Sequence, residues 1–437
     1  MYRLHKFNLT RSDILAFLKM RNHIIPFYII IIGILIVLRS GRKVSLISQD
    51  TSNPIYFEHA PSLEKYHFKP ASLNESIIHD LVSSMNKSPY NQDLSWFASQ
   101  TIFESYVTRD GLHLQVYKTI SDANKYGPVY VFSCGYTETV LKYSLIIRKL
   151  FDKGATVYAF DMRGQGFSES TGWNDGRVTH IENIADYTTD LQDFVDNIVV
   201  PETQLDGKRP IIYVGNSLGG LVGIMAQNTY TDKNQKRPTL FDKLVLVTPC
   251  IQPTSTNAVV GHIVESLYWL FPVARDALIA RLQRSSPPED MSHNALFIEW
   301  WENLRRLASR QLVVAGPSLG WIRSVYQAGV MSYTSKGAGL DNADILVLSA
   351  GSDTVVSLDK IHAFYEFVSG GVQSTSGMPH GFESHGMFDL KTETRMTKKS
   401  NSLRRHIVVK ECRHEMWAES STVVNFVLEE VHAFVSQ

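Results

Sequence analysis

The stretch that decides the fold is "YVGNSLGGLVG", residues 213–223. It sets Ser217 between glycines as Gly215-x-Ser217-x-Gly219, directly after the apolar run Ile211-Ile212-Tyr213-Val214 and before a helix-like segment at 218–228. The triplet alone is common, so its context carries the reading. A strand that enters a sharp turn between small residues and leaves as a helix lifts the central side chain off the sheet's end. That is the setting of a nucleophile elbow.

Further short apolar runs lie at 129–132, 156–160, 244–247, 345–348 and 407–409, with helix-like spacing at 143–151 and 184–198. Strands that are apolar throughout, alternating with helices, describe an α/β chain with a mostly parallel central sheet covered on both faces. Upstream, "ESYVTRDGLHLQVYKTI" (104–120) alternates on both sides of Asp110-Gly111, a hairpin signal. Two intervals break the rhythm. Residues 251–340 hold no clear strand but several helix-like segments with Trp269, Trp300, Trp301 and Trp321, which predicts a helical cap insertion. Residues 369–404 are rich in Gly, Ser, Thr and Lys without apolar period and read as a flexible insertion, where His380 and His385 are solvated rather than metal ligands.

A serine hydroxyl needs a general base, and the base needs an orienting acid. In this fold both follow the nucleophile, each beyond the C-terminal end of a strand. Asp353 follows the run 345–348 and His414 follows 407–409, so the order Ser217, Asp353, His414 is satisfied; Asp341 and Asp344 compete for the acid. The oxyanion needs two backbone N–H donors, one after the nucleophile and one after an earlier strand. Leu218 supplies the first, and Tyr136 in "VFSCGYTET" the second.

Composition frames this reading. The 437 residues are 44% hydrophobic and 20% charged, as in ordinary globular proteins. Equal counts of 43 basic and 43 acidic residues argue against a nucleic-acid binder. Cys134, Cys250 and Cys412 are too few and scattered for a disulfide framework or zinc site, and no metal or cofactor is expected. At the N-terminus, "IIPFYIIIIGILIVL" (24–38) is uninterrupted and flanked by Arg21, Arg39, Arg42 and Lys43. As a helix it spans roughly 22 Å, short of the ~30 Å hydrocarbon core, a gap that snorkelling arginines can close. Residues 1–43 thus predict a single-pass membrane anchor, 44–102 a polar connector, and 103–437 the folded domain. Arg3, Lys6, Arg11, Lys19 and Arg21 before the span favour a cytoplasmic N-terminus and a domain on the non-cytoplasmic side.

Five segments now identify a resemblance. "CGYTETVLKYSLIIRKLFDKGATVYAFDMRGQGFSES" (134–170), "GNSLGG" (215–220), "AGPSLGWIRS" (315–324), "SAGSDTVVS" (349–357) and "ECRHEMW" (411–417) resemble the lysophospholipase and monoacylglycerol-lipase branch of the α/β-hydrolases. The likeness covers roughly residues 103–434, and "DMRGQGFS" (161–168) is its most specific part. It implies an α/β-hydrolase fold with a cap, Ser217 as nucleophile, Asp353 as acid, His414 as base, and Tyr136 and Leu218 as oxyanion donors. It also implies a lipid ester substrate. Two positions depart from the branch: Asn216 stands where His is usual before the nucleophile, and Cys134-Gly135 where His-Gly is frequent. A thiol at Cys134 raises the expectation of sensitivity to thiol reagents.

The cap segment "VESLYWLFPVARDALIARL" (264–282) is apolar enough to line an acyl channel, or simply to pack the cap's own core. Other chemistries share the fold. A serine peptidase or aminopeptidase would need acidic cap residues, for which Glu265, Asp276, Glu289 and Asp290 are available. An acyltransferase would pass the acyl group to an alcohol. A non-catalytic binding protein normally loses a triad member, and here all three are present.

Overall fold

The computed structural model describes residues 73–122, 127–170, 178–203, 209–231, 237–270, 275, 288–308, 314, 316–335, 338–370, 390–399 and 402–437. They belong to one compact unit. The expected anchor, 1–43, lies outside the described residues, as do His380 and His385. Among the described residues no helix is long and apolar enough to cross a membrane.

The expected apolar runs form the centre of one sheet. The strands are β1 (Ile102–Val107), β2 (His113–Thr119), β3 (Val129–Ser133), β4 (Thr156–Phe160), the two-residue β5 (Val178–Thr179), β6 (Ile211–Asn216), β7 (Lys243–Val247), the two-residue β8 (Gly316–Pro317), β9 (Asp344–Ala350), β10 (Thr392–Lys399) and β11 (Ser402–Val409). The large sheet runs β1-β2-β4-β3-β6-β7-β9-β11-β10. Pairing is parallel from β4 through β11, and antiparallel at β1–β2, β2–β4 and β10–β11. The Asp110-Gly111 turn joins β1 to β2 as its alternation predicts, with Val107 opposite His113 and Gly111 at φ 88°.

Why the inner strands are apolar throughout is visible in their alternation. Tyr130, Phe132, Ile212, Val214, Val245, Val247, Leu346 and Leu348 join the core on one face. Their neighbours Val129, Val131, Ile211, Tyr213, Leu244, Leu246, Ile345 and Val347 join the core on the other. Both faces are covered, so neither set of side chains meets water. The helices Ala185–Phe194, Leu218–Thr229 and Leu358–Ser369 bury residues in the second core, and Ser144–Asp152 and Ser421–Val435 in the first.

Two segments differ from the sequence reading. Residues 44–102, expected as a polar connector, carry the helices Glu75–Ser84 and Tyr90–Gln100. Asn74 caps the first, accepting from the Ile77 N–H at 3.0 Å, and Ile78, Leu94 and Phe97 are buried in the first core. The folded unit therefore starts before Phe103. The insertion expected at 369–404 contains β10, whose sequence TETRMTKK is that of a sheet edge. An edge strand is stabilised by its single neighbour and protected by its charges, so it needs no apolar period. The cap interval bears Ala258–Leu270, Ala295–Leu307 and Leu319–Ser332, and β8 pairs with β5 beside it.

Phe97 tests the membership of the early helices. Its ring packs 6.2 Å from Phe103 and 5.9 Å from Tyr117, with no exposure to solvent. Phe97→Ala should lower unfolding free energy by about 3–5 kcal/mol, the usual cost of emptying such a site. Urea denaturation measures it; a loss below about 1 kcal/mol would detach this helix from the fold.

Candidate active site

Ser217 lies just past β6 at φ 49° and ψ −114°, a backbone region that side-chain-bearing residues seldom adopt. The turn is possible because its flanks have no side chains. A Cβ on Gly219 would stand 2.5 Å from the Ser133 carbonyl oxygen, and one on Gly215 would stand 2.8 Å from the Gly219 carbonyl carbon. The Ser217 N–H donates to the Val247 carbonyl at 3.0 Å, and the Cys250 N–H donates to the Ser217 carbonyl at 2.8 Å. These bonds tie the turn to β7 and the loop beyond it.

Asp353 and His414 follow adjacent strands, β9 and β11. Their loops are bonded together: the Gly351 N–H donates to the Val409 carbonyl at 2.8 Å and the Ser352 N–H to the Cys412 carbonyl at 3.0 Å. The Asp353 Oδ1 accepts from the N–H groups of Val355 and Val356 at 2.8 and 2.9 Å. That leaves Oδ2 aimed at His414 Nδ1, 2.8 Å away. An ionised carboxylate only accepts, so Nδ1 carries the hydrogen and Nε2 presents its lone pair. Nε2 is 3.0 Å from Ser217 Oγ. The structure thus brings the three expected side chains into one line, from acid to imidazole to hydroxyl, while the competing Asp344 accepts from the Leu403 N–H and pairs with Lys243.

His414 is 1% exposed. Burial alone would lower its pKa, but Asp353, then Glu415 and Glu138, outweigh it and hold it above the ordinary value of 6.5. The line can therefore take a proton from the hydroxyl and keep it on the imidazole during a reaction, as general base catalysis requires.

The expected oxyanion donors, Leu218 and Tyr136, both belong to segments next to Ser217. Leu218 opens the helix Leu218–Thr229 next to Ser217. Tyr136 lies in the loop after β3, whose Gly135 approaches so closely that a Cβ there would be 3.3 Å from Ser217 Cβ. The Tyr136 ring packs against Trp321 of the cap, with centroids 4.3 Å apart and the planes tilted by 36°. Sequence reasoning missed two neighbours, Glu138 and Glu415. Each is buried beside the site, paired with Lys142, and nothing in the spacing of an isolated Glu distinguishes it from a surface one.

The structure shows the setting of Cys134. It is 2% exposed, and burial and then Asp161 push its thiol well above the ordinary range. Cys250 is pushed up to about 12 by burial and the Asp353 charge. Thiols held protonated and covered are poor nucleophiles, which argues against the thiol sensitivity expected at Cys134. Among the described residues no group of His, Cys, Asp and Glu is arranged to hold a metal ion.

With the fold and this line of side chains established, sequence comparison identifies the family. The family model described as serine aminopeptidase, S33, matches residues 127–382, and the chain belongs to that family of α/β-hydrolases. The match includes Ser217 and Asp353. A comparison with curated proteins finds no match. Among solved structures, a monoglyceride lipase from Saccharomyces cerevisiae aligns over 77% of this chain and 96% of its own, with 14% identity and a TM-score of 0.54. A carboxyl esterase from Bacillus coagulans covers 77% of this chain and 98% of its own, at 13% identity and a TM-score of 0.53. At this identity the likeness establishes the fold: this is an α/β-hydrolase with a helical cap interval, and the resemblance to the lysophospholipase and monoacylglycerol-lipase branch stands.

The raised His414 has a direct readout. Only the neutral imidazole accepts the Ser217 proton, so phosphonylation of Ser217 by a fluorophosphonate should fall on acidification through a midpoint above 6.5. Asp353→Asn removes the largest raising influence, so the midpoint should drop. The rate should also fall by about 10³–10⁴-fold, because the wrong tautomer is then favoured. A rate independent of pH between roughly 5 and 9 would exclude His414 as the base.

Proposed function

We propose that the protein is a serine carboxylester hydrolase that releases fatty acid from lysophospholipid or monoacylglycerol. The observation that carries the reading is the hydrogen-bonded line of Asp353, His414 and Ser217, at 2.8 and 3.0 Å, at the ends of parallel strands. Ser217 Oγ attacks the ester carbonyl as its proton passes to His414 Nε2. The N–H groups of Leu218 and Tyr136 hold the oxyanion. The tetrahedral intermediate collapses, the C–O bond breaks, and His414 returns the proton to the departing alcohol. Water then attacks the acyl-serine by the same route, releasing the fatty acid and restoring the hydroxyl.

Lipid as substrate class is supported by the cap. The three most exposed large apolar residues described are Trp269, Leu270 and Leu296, at 60, 70 and 62%, and all lie in that interval. An apolar, partly uncovered cap suits a substrate that partitions from a membrane or micelle. The family's description raises an aminopeptidase as second reading. Of its acidic candidates for a free amino group, Glu265 is already engaged: its Oε2 accepts from Arg323 Nε at 2.8 Å and Gln327 Nε2 at 2.9 Å, and its Oε1 from Trp269 Nε1 at 2.6 Å. That favours the ester reading. The expected anchor at 24–38 completes the proposal, since a single-pass segment would keep the domain where its substrate resides, on the non-cytoplasmic side.

Purified protein should release fatty acid from lysophosphatidylcholine or monoacylglycerol, and Ser217→Ala should reduce that by at least about 10³-fold. Turnover of aminoacyl nitroanilides with no fatty-acid release would replace this reading by the peptidase one. Removal of residues 1–43 should leave specific activity within about twofold while moving the protein from the membrane pellet to the supernatant. A truncated protein that still sediments with membranes would displace the anchor from this segment.

A further inference from the structure

Behind the site lie two carboxylates and one ammonium that no step of acyl transfer uses. Glu138, Lys142 and Glu415 are 6, 5 and 3% exposed. Lys142 Nζ pairs with Glu138 Oε1 and stands 2.9 Å from Glu415 Oε2. Placing such a trio in a protein interior is costly, and packing alone does not recover the cost.

Its connections supply a reason. The second oxygen of Glu138, Oε2, accepts from the Gly135 N–H at 2.6 Å and from the Tyr143 hydroxyl. The Tyr143 oxygen in turn accepts from Asn216 Nδ2 at 2.9 Å. One cluster therefore touches the peptide before the Tyr136 N–H, the residue before Ser217, and the residue after His414. On the far side of Tyr136, the Thr137 N–H is held by the Gln165 side-chain oxygen, and Thr137 sits at φ 65°. Both neighbours of the Tyr136 N–H are thus tied down, and it has no acceptor among the described residues. A side chain at 135 would also displace Glu138, since a Cβ there would be 2.6 Å from Oε2.

We infer that Glu138 is a positioning residue: through Gly135 it aims the Tyr136 N–H at the oxyanion, and through Lys142 and Glu415 it fixes the loop that carries His414. This rests on the acyl-transfer reading above. Burial, then Glu415, raise the Glu138 carboxyl above its ordinary range, while at Glu415 burial is outweighed by Lys142 and the carboxyl is lowered. Neutralising Glu138 therefore leaves a compensated Lys142–Glu415 pair.

The test uses wild type, Ser217→Ala, Glu138→Gln and Glu138→Met, each assayed for p-nitrophenyl butyrate turnover and for fluorophosphonate labelling. Glutamine keeps an acceptor for Gly135, and methionine fills the same space without one. Glu138→Met should lose about 100-fold in kcat with KM changed less than threefold, comparable to losing one oxyanion donor. Glu138→Gln should stay within about tenfold of wild type. A purely structural charge would make the two variants equally impaired, because both lose it; that result, an unchanged Glu138→Met, or a loss confined to KM overturns the inference. If Glu138→Met does not fold, Glu138→Gln decides alone, and a kcat loss beyond tenfold overturns it. Failure of the wild type itself to turn over or label would instead remove the acyl-transfer reading, and the inference with it.

Discussion

The backbone of Ser217, at φ 49° and ψ −114°, is the constraint to which the surrounding architecture answers. Such a conformation costs of the order of 1–3 kcal/mol and persists only where the surroundings over-determine it. Among the described residues only Thr137 and Thr248 share a positive φ without being glycine, at 65° and 43°. The three lie just beyond β3, β6 and β7, which are adjacent in the sheet. Strain is therefore gathered at one end of three neighbouring parallel strands. The bonds that hold it run between them and on to β9: Gly219 N–H to the Cys134 carbonyl at 3.0 Å, Ser217 N–H to Val247, and Thr248 N–H to the Leu348 carbonyl at 2.7 Å. Relaxing one turn would break bonds to the next.

The segment "DMRGQGFS" belongs to the same support, which explains why it marks the family although it contributes no reacting group. Asp161 is fully buried, and burial pushes its carboxyl up to about 6 even though Phe167 N–H, Val140 N–H, and the Tyr117 and Thr139 hydroxyls donate to it. It thereby pins the loop after β3 to the turn after β4. Gly166, at φ 56°, allows this, since a Cβ would fall 2.1 Å from Asp161 Oδ2. From that turn Gln165 reaches back to Thr137. The cap grips the site from two directions. Trp321 packs against Tyr136, and the chain at 291–293 bonds the His414 loop, with Glu415 N–H on the Met291 carbonyl at 2.8 Å and Ser292 Oγ on the Ala418 carbonyl at 2.9 Å.

What could be read from the sequence follows this physics. The inner strands were legible because burial on two faces demands apolar residues at every position. The candidate site at their ends was legible because this fold places a nucleophile, acid and base after strands in a set order, and Ser217, Asp353 and His414 stand in that order. β10 was not, since an edge strand of Thr, Lys and Arg carries no such pattern. The helix Glu75–Ser84 has a signal, Ile77, Ile78, Leu81 and Val82 on one side after an Asn74 cap, but ten residues among polar sequence give it little weight. Glu138 and Glu415 were invisible for a different reason. Their burial is set by Lys142 and by a tertiary arrangement that joins chain segments over 270 residues apart.

The two departures from the branch make sense in these terms. Asn216 is fully buried, and its amide donates to Tyr143, which donates to Glu138. An amide keeps that donor at every pH, whereas an imidazole beside a buried carboxylate would gain and lose charge. Cys134 contributes its carbonyl to Gly219 and its side chain to the first core. What the turn needs at 134 is a backbone oxygen and a side chain compatible with burial, and cysteine meets both as a small apolar residue. Both positions thus act through hydrogen bonds on the segments that carry Ser217 and Tyr136, and neither places a titratable ring there.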